Sequence, residues 1–146
     1  MSLSDIFDEV SARPDFSSGR GLTEVEVHAV EAEVGALPSG YRALLQRFGW
    51  VSFGHFEIYG AGTALPHYLD VVFMAKHEWE HGGLSRNLVP IMNNGGGDLY
   101  CVAGAQVGVA DEAVHLWVHE DRSTYPVAGD MEEWIMGMAA AIDARS

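Results

Sequence analysis

Leu88–Cys101, LVPIMNNGGGDLYC, constrains this chain more than any other stretch. A short apolar run ends in two asparagines and three glycines, then resumes through Asp98 into Leu99-Tyr100-Cys101. Glycine and asparagine are the residues that enter positive φ cheaply, so the pattern predicts strand, turn and strand over 88–103. Gly95, Gly96 and Gly97 bury no side chain and carry a high entropic cost on ordering. A bend of this kind is either a plain hairpin or a surface built to face something.

The flanking segments predict helices and further strands. Leu3, Ile6, Phe7 and Val10 share one helical face, and that helix must end before Pro14. Residues 14–21 are turn-forming. Thr23 and Glu26 have capping-box spacing for a helix running to about Gly35, with Val27, Val30 and Val34 buried. Pro38 opens another helix, whose face is Tyr41, Leu44, Leu45 and Phe48 and which Gly49 closes. From Trp50 the period changes, and Phe53 with Phe56–Tyr59 predicts paired strands around Gly54. Leu65–His81 predicts one helix, ended by Gly82-Gly83.

Val114–Glu120 alternates apolar and polar residues as a half-buried strand does. Asp121-Arg122-Ser123 turns the chain into a partner strand, Thr124–Val127. The last helix is capped by Asp130, with Glu133 completing a capping box. Its buried face is Met131, Trp134, Ile135, Met138 and Ile142. Helices at both ends around a mainly antiparallel sheet define an α+β class, and 146 residues suit one domain.

Charge excludes one class of partner. The net charge is −13, from 21 acids against 8 bases, and Lys76 is the single lysine. Direct nucleic-acid binding needs clustered Lys and Arg, which this chain lacks. A basic protein partner is the complementary expectation. Cys101 is the sole cysteine and lies in an apolar run, which predicts an inert buried thiol in a reducing compartment. The acidic N-terminus reads as no export signal, and no apolar run reaches the ~20 residues of a membrane span. A cytoplasmic location without membrane contact follows as an expectation.

Four motifs bear on chemistry. His77-Glu78-Trp79-Glu80-His81 satisfies H-E-x-x-H, the pattern of a zinc hydrolase with Glu78 as general base. Gly82-Gly83 follows at once, and a third ligand would have to come from His115 or His119. The NNGGGD run lacks the G-K-[ST] of a phosphate loop, and Asp98 repels phosphate. The acid pairs Asp111-Glu112 and Glu120-Asp121 fall at turns, where solvation is the ordinary role. No catalytic set, metal site or cofactor is assigned on these grounds.

What remains is a clustering of aromatic and acidic residues at strand ends: Trp50, Phe53, Phe56, Glu57, Tyr59, Asp98, Tyr100, Trp117, His119, Glu120 and Asp121. Aromatic anchors ringed by acids suit a basic protein surface.

Read in order, Leu37-Pro38-x-x-Tyr41, Phe48-Gly49, Phe53-Gly54-x-Phe56-Glu57-Ile58-Tyr59-Gly60, Leu88-Val89-Pro90-Ile91, Asn94–Tyr100 and Trp117–Glu120 form a series that resembles the SUKH superfamily. That group contains fungal regulators of cell-wall glucan synthesis and bacterial immunity proteins of polymorphic toxin systems. The resemblance runs from about Thr23 to the last helix and leaves residues 1–13 as a helical extension. The family commonly has Asn-Gly after the second helix, whereas Phe48-Gly49 stands here. The resemblance implies a twisted antiparallel sheet packed by helices and a non-enzymatic binding role. It implies, for a bacterial member, a cognate toxin domain as partner, often a nuclease. On this reading the binding face comprises Glu57, Tyr59, Gly96, Gly97, Asp98, Trp117, His119, Glu120 and Asp121. Two rival readings are the zinc hydrolase and a regulatory or scaffold protein of the same fold without a toxin.

Overall fold

The computed structural model describes residues 1–104 and 111–145. In chain order the elements are α1 (Leu3–Ser11), β1 (Ser17–Ser18), α2 (Glu24–Val34), α3 (Ser39–Phe48), β2 (Val51–Phe53) and β3 (Phe56–Ile58). They continue with α4 (Val71–His77), β4 (Leu88–Asn93), β5 (Leu99–Ala103), β6 (Val114–Trp117), β7 (Thr124–Ala128) and α5 (Met131–Asp143). The strands form two antiparallel sheets, β1-β2-β3 and β4-β5-β6-β7. The Tyr59 N–H donates to the Ile91 carbonyl at 2.7 Å and joins one sheet to the other. The α+β class stands, with the sheet divided in two.

Local chemistry explains most helix boundaries. The Thr23 hydroxyl accepts from the Glu26 N–H while the Glu26 carboxylate accepts from the Thr23 N–H, the reciprocal box expected at α2. At α5 the box is displaced by one residue. Asp130 accepts from the Glu133 N–H, but the Glu133 carboxylate accepts from Gly129 at 2.9 Å. Pro38 occupies the cap position of α3, outside the first turn, and has no side chain with which to cap. Glu112 does so instead, its carboxylate accepting from the N–H groups of Ser39 at 3.0 Å and Gly40 at 3.1 Å. A charge brought from far along the chain thus satisfies free donors and complements the helix dipole.

The Leu65–His81 helix is interrupted. A 3₁₀ turn at His67–Leu69 precedes α4, Asp70 caps α4, and a π-turn at Glu78–Gly82 ends it. The break is made by the backbone of Gly60, which accepts from Val71 at 2.8 Å and donates to Leu69 at 2.9 Å. Those bonds staple the 67–71 backbone beside β3, where a continuous helix would not fit. β1 lies within the stretch expected to be turn only.

The larger core lies between the helices and the sheets and includes Ile6, Val27, Tyr41, Leu45, Phe53 and Ile58, all fully enclosed. Ile142, in the last turn of α5, is only partly buried and lies beside Gly54 at the edge of the core. A smaller cluster of Leu84, Leu99, Cys101 and Trp117 lies on the opposite face of the four-stranded sheet. Trp79 closes over it, with its indole N–H donating to the Leu88 carbonyl at 2.9 Å. Alternation along β5 sends Leu99 and Cys101 to this side and Val102 to the other. Cys101 is enclosed as the sequence implies, and burial pushes its thiol pKa well up.

Candidate functional site

The β4–β5 turn shares a cleft with the Gly54–His55 bend into β3 on one side and contacts the β6–β7 turn through Asp98 and His119 on the other. The β4–β5 turn builds the middle of this rim from the two asparagines. The Asn93 carboxamide oxygen accepts from Gly95 at 2.7 Å and Gly97 at 3.4 Å. The Asn94 oxygen accepts from Gly96 at 2.8 Å and Asp98 at 3.2 Å. Every backbone N–H from 95 to 98 is therefore occupied by a side chain of the turn itself. Gly95 and Gly97 take φ of +95° and +98°, which accounts for glycine at those two positions. With its donors taken, the turn cannot cradle an anion, and Gly96 and Gly97 offer a partner little beyond carbonyl oxygens and shape.

Asp98 ties this turn to its neighbour. Its Oδ1 lies 2.6 Å from His119 Nδ1 and accepts the His119 N–H at 3.1 Å. The hydrogen bonds to the His119 side chain, then to its backbone, hold the Asp98 carboxyl below the usual carboxylate range. The His119 ring packs over Gly97, where a Cβ would stand 3.1 Å from it. Glycine, aspartate and histidine from two turns thus form one locked unit. His119, Glu120 and Asp121 lie beyond the end of β6, in the turn and not in a strand, because pairing with β7 stops at Trp117↔Thr124. Asp121 accepts from Ser123 at 2.9 Å and shapes that turn, while Glu120 is exposed.

Two expected surface residues are buried. Trp117 is 3% exposed because the Trp79–Leu84 segment covers its face of the sheet. Tyr59 is 4% exposed, and burial pushes its phenol up to about 12, with Glu78 contributing. Trp117 is thus covered, whereas Tyr59, though buried, contributes to the wall of a cleft beside Glu57. Phe53 is also enclosed, whereas Phe56 and Tyr100 are half-buried. Alternation alone does not reveal which face of a strand a further segment will cover.

The structure adds a residue that the sequence reading missed. Tyr68, 63% exposed on the His67–Leu69 turn, lines a cleft of about 330 Å³ with Glu57, Phe56, His55, Asn93 and Asn94. The Glu57 carboxylate makes no hydrogen bond or ion pair among the described residues. The signal for Tyr68 was its place in the break at Pro66–Asp70, which the helical reading passed over.

Within H-E-x-x-H the two histidines share a face and Glu78 turns away from them. His77 and His81 stand on the exposed side of α4 and its π-turn, their rings 5.2 Å apart in a column continued by Phe73 and His67. Glu78 lies instead within electrostatic reach of Tyr59 and Cys101, on the inner side. His115 pairs with Asp111 at 3.1 Å and His119 with Asp98, so neither joins the pair. Among the described residues no group of three or more His, Cys, Asp or Glu is placed to hold a metal ion. No helix among them is long and apolar enough to cross a membrane.

The cleft and the locked turns lie at one end of two antiparallel sheets in an α+β protein. The SUKH_5 family model, described as "SMI1-KNR4 cell-wall", matches residues 4–139, and the chain belongs to the SUKH family. A solved structure described as a protein from Pseudomonas syringae pv. tomato shares the fold, with a TM-score of 0.69. The two chains are 18% identical over 90% of this chain and 93% of that one. No curated protein matches the sequence.

Proposed function

We propose that this protein is a non-enzymatic immunity protein that neutralises a cognate toxin by binding and covering a basic domain. Membership of the SUKH family fits an immunity or regulator-like role. One observation supports the finer reading: the rim carries acids without Lys or Arg partners beside exposed aromatic surface. Arg20, Arg42, Arg47 and Lys76 pair with acids of the helical part of the molecule, and Arg13 pairs with Asp15 and Asp143 beside the Gly54 bend. At the rim, Glu57 and Glu120 have no counter-ion among the described residues, and Asp98 faces only a histidine. Arg122, in the β6–β7 turn, has its guanidinium against Gly83.

Acids left without Lys or Arg partners at this rim, in a chain of net charge −13, favour a cationic partner and rapid, salt-sensitive association. A basic substrate channel, as a nuclease domain presents, is the complementary surface. The test is co-expression with the toxin domain encoded by the neighbouring reading frame. Cells expressing both proteins should survive, and those expressing the toxin alone should not. Unchanged killing, or a neighbouring frame with no toxic product, would favour the regulatory role of the same fold.

A further inference from the structure

The cleft beside Glu57 combines an uncompensated carboxylate with aromatic surface held in place by backbone. Tyr68 sits on a turn fastened to β3 through the Leu69–Gly60 and Val71–Gly60 hydrogen bonds, so its exposure is built in. Phe56 is braced by the His55 ring at 4.2 Å and by Phe53 edge-on at 5.9 Å. On the far wall, the Asn93 and Asn94 oxygens occupy the turn's N–H groups, so that side offers no anion site. The volume of about 330 Å³ lies at the small end of ligand pockets, which span ~300–1,000 Å³.

From these features we infer that the cleft is an anchor for a single arginine side chain of the basic partner. The guanidinium donates to Glu57 through its planar fork and stacks on the faces of Tyr68 and Phe56. Arginine fits better than lysine because its weakly hydrated planar cation can do both at once, whereas an ammonium cannot stack. The inference rests on the basic-partner reading and deepens it by naming what that partner inserts.

The experiment is an amide NMR titration with the blocked tripeptide acetyl-Gly-Arg-Gly-amide at physiological salt. Saturable shifts should appear at 56–59, 67–69 and 93–95. Affinity should fall about tenfold or more in Glu57→Gln, the loss of one charge-assisted bidentate contact. Tyr68→Ala should also weaken it, and the Gly-Lys-Gly peptide should bind about three- to tenfold less tightly. Both substituted side chains are exposed, and the dispersion of each variant's spectrum checks its fold.

Glu9→Gln, which removes one charge from α1, should leave the titration unchanged. Equal binding by Glu57→Gln, equal binding of the lysine peptide, or shifts spread over the acidic surface would overturn the inference. The immunity reading fails separately. A protein that seats the peptide but does not block its neighbour's toxin keeps the pocket and loses that role. One that blocks the toxin but ignores the peptide keeps the role and loses the pocket.

Discussion

Alanine substitution at the three consecutive glycines separates backbone strain from steric contact. Gly96 lies outside the left-handed region and its Cβ would meet only the Asn94 oxygen, at 3.5 Å. Gly96→Ala should therefore be neutral or stabilising by about 0.5 kcal/mol, through a less disordered unfolded chain. Gly95 has φ of +95° with nothing within 4 Å of the added carbon, so its substitution incurs strain alone. Strain of about 1–2 kcal/mol, less the unfolded-state gain, leaves a cost of about 1 kcal/mol.

Gly97 has φ of +98° and also meets the His119 ring at 3.1 Å. Its substitution must displace the ring that holds Asp98, which raises the total to about 2 kcal/mol or more. Urea unfolding of the three variants gives the order directly from midpoints at constant slope. In thermal unfolding, each kcal/mol should appear as a fall of about 3 °C. A Gly96→Ala cost equal to that of Gly97→Ala, or a neutral Gly97→Ala, would refute both the turn geometry and its link to the β6–β7 turn.

Three other outcomes follow from the same geometry. Tyr41 is enclosed and donates to the Tyr59 carbonyl at 2.6 Å, so Tyr41→Phe should cost about 1–2 kcal/mol in urea unfolding. The Asp98 carboxyl has a lower pKa folded than unfolded, so its contribution is complete above about pH 4 and is lost as pH falls through the folded value. Asp98→Asn should accordingly flatten the acid limb of the stability profile, measured by urea midpoints from pH 6 downward. Cys101 is enclosed with a raised pKa, so Ellman's reagent should find no thiol in the native protein and one in guanidinium.

The sequence exposed those features whose causes are local. The Thr23–Glu26 box, the α3 face from Tyr41 to Phe48 and the hairpin around NNGGGD depend on residues a few positions apart. Features set by distant contacts stayed hidden. β1 is two exposed serines with no periodicity of their own and exists through pairing with Val51 and Ser52. The break before Asp70 depends on Gly60, and the cap of α3 on Glu112.

At the rim, sequence reasoning named Glu57, Asp98 and His119 among one set of strand ends, and the structure brings the turns that carry them together. It could not distinguish Trp117, covered by the Trp79–Leu84 segment, from an exposed tryptophan. Nor did it show that the asparagines would consume the glycine N–H groups. The turn at NNGGGD is a self-satisfied loop, with Asn93 and Asn94 also lining the cleft.

The central claim is direct occlusion of a basic partner, and calorimetric titration of the purified protein into the purified product of the neighbouring reading frame tests this most directly. A complex of one-to-one stoichiometry is predicted, with an affinity that falls as salt rises. No heat at micromolar concentrations, or binding indifferent to both salt and Glu57→Gln, would contradict the account.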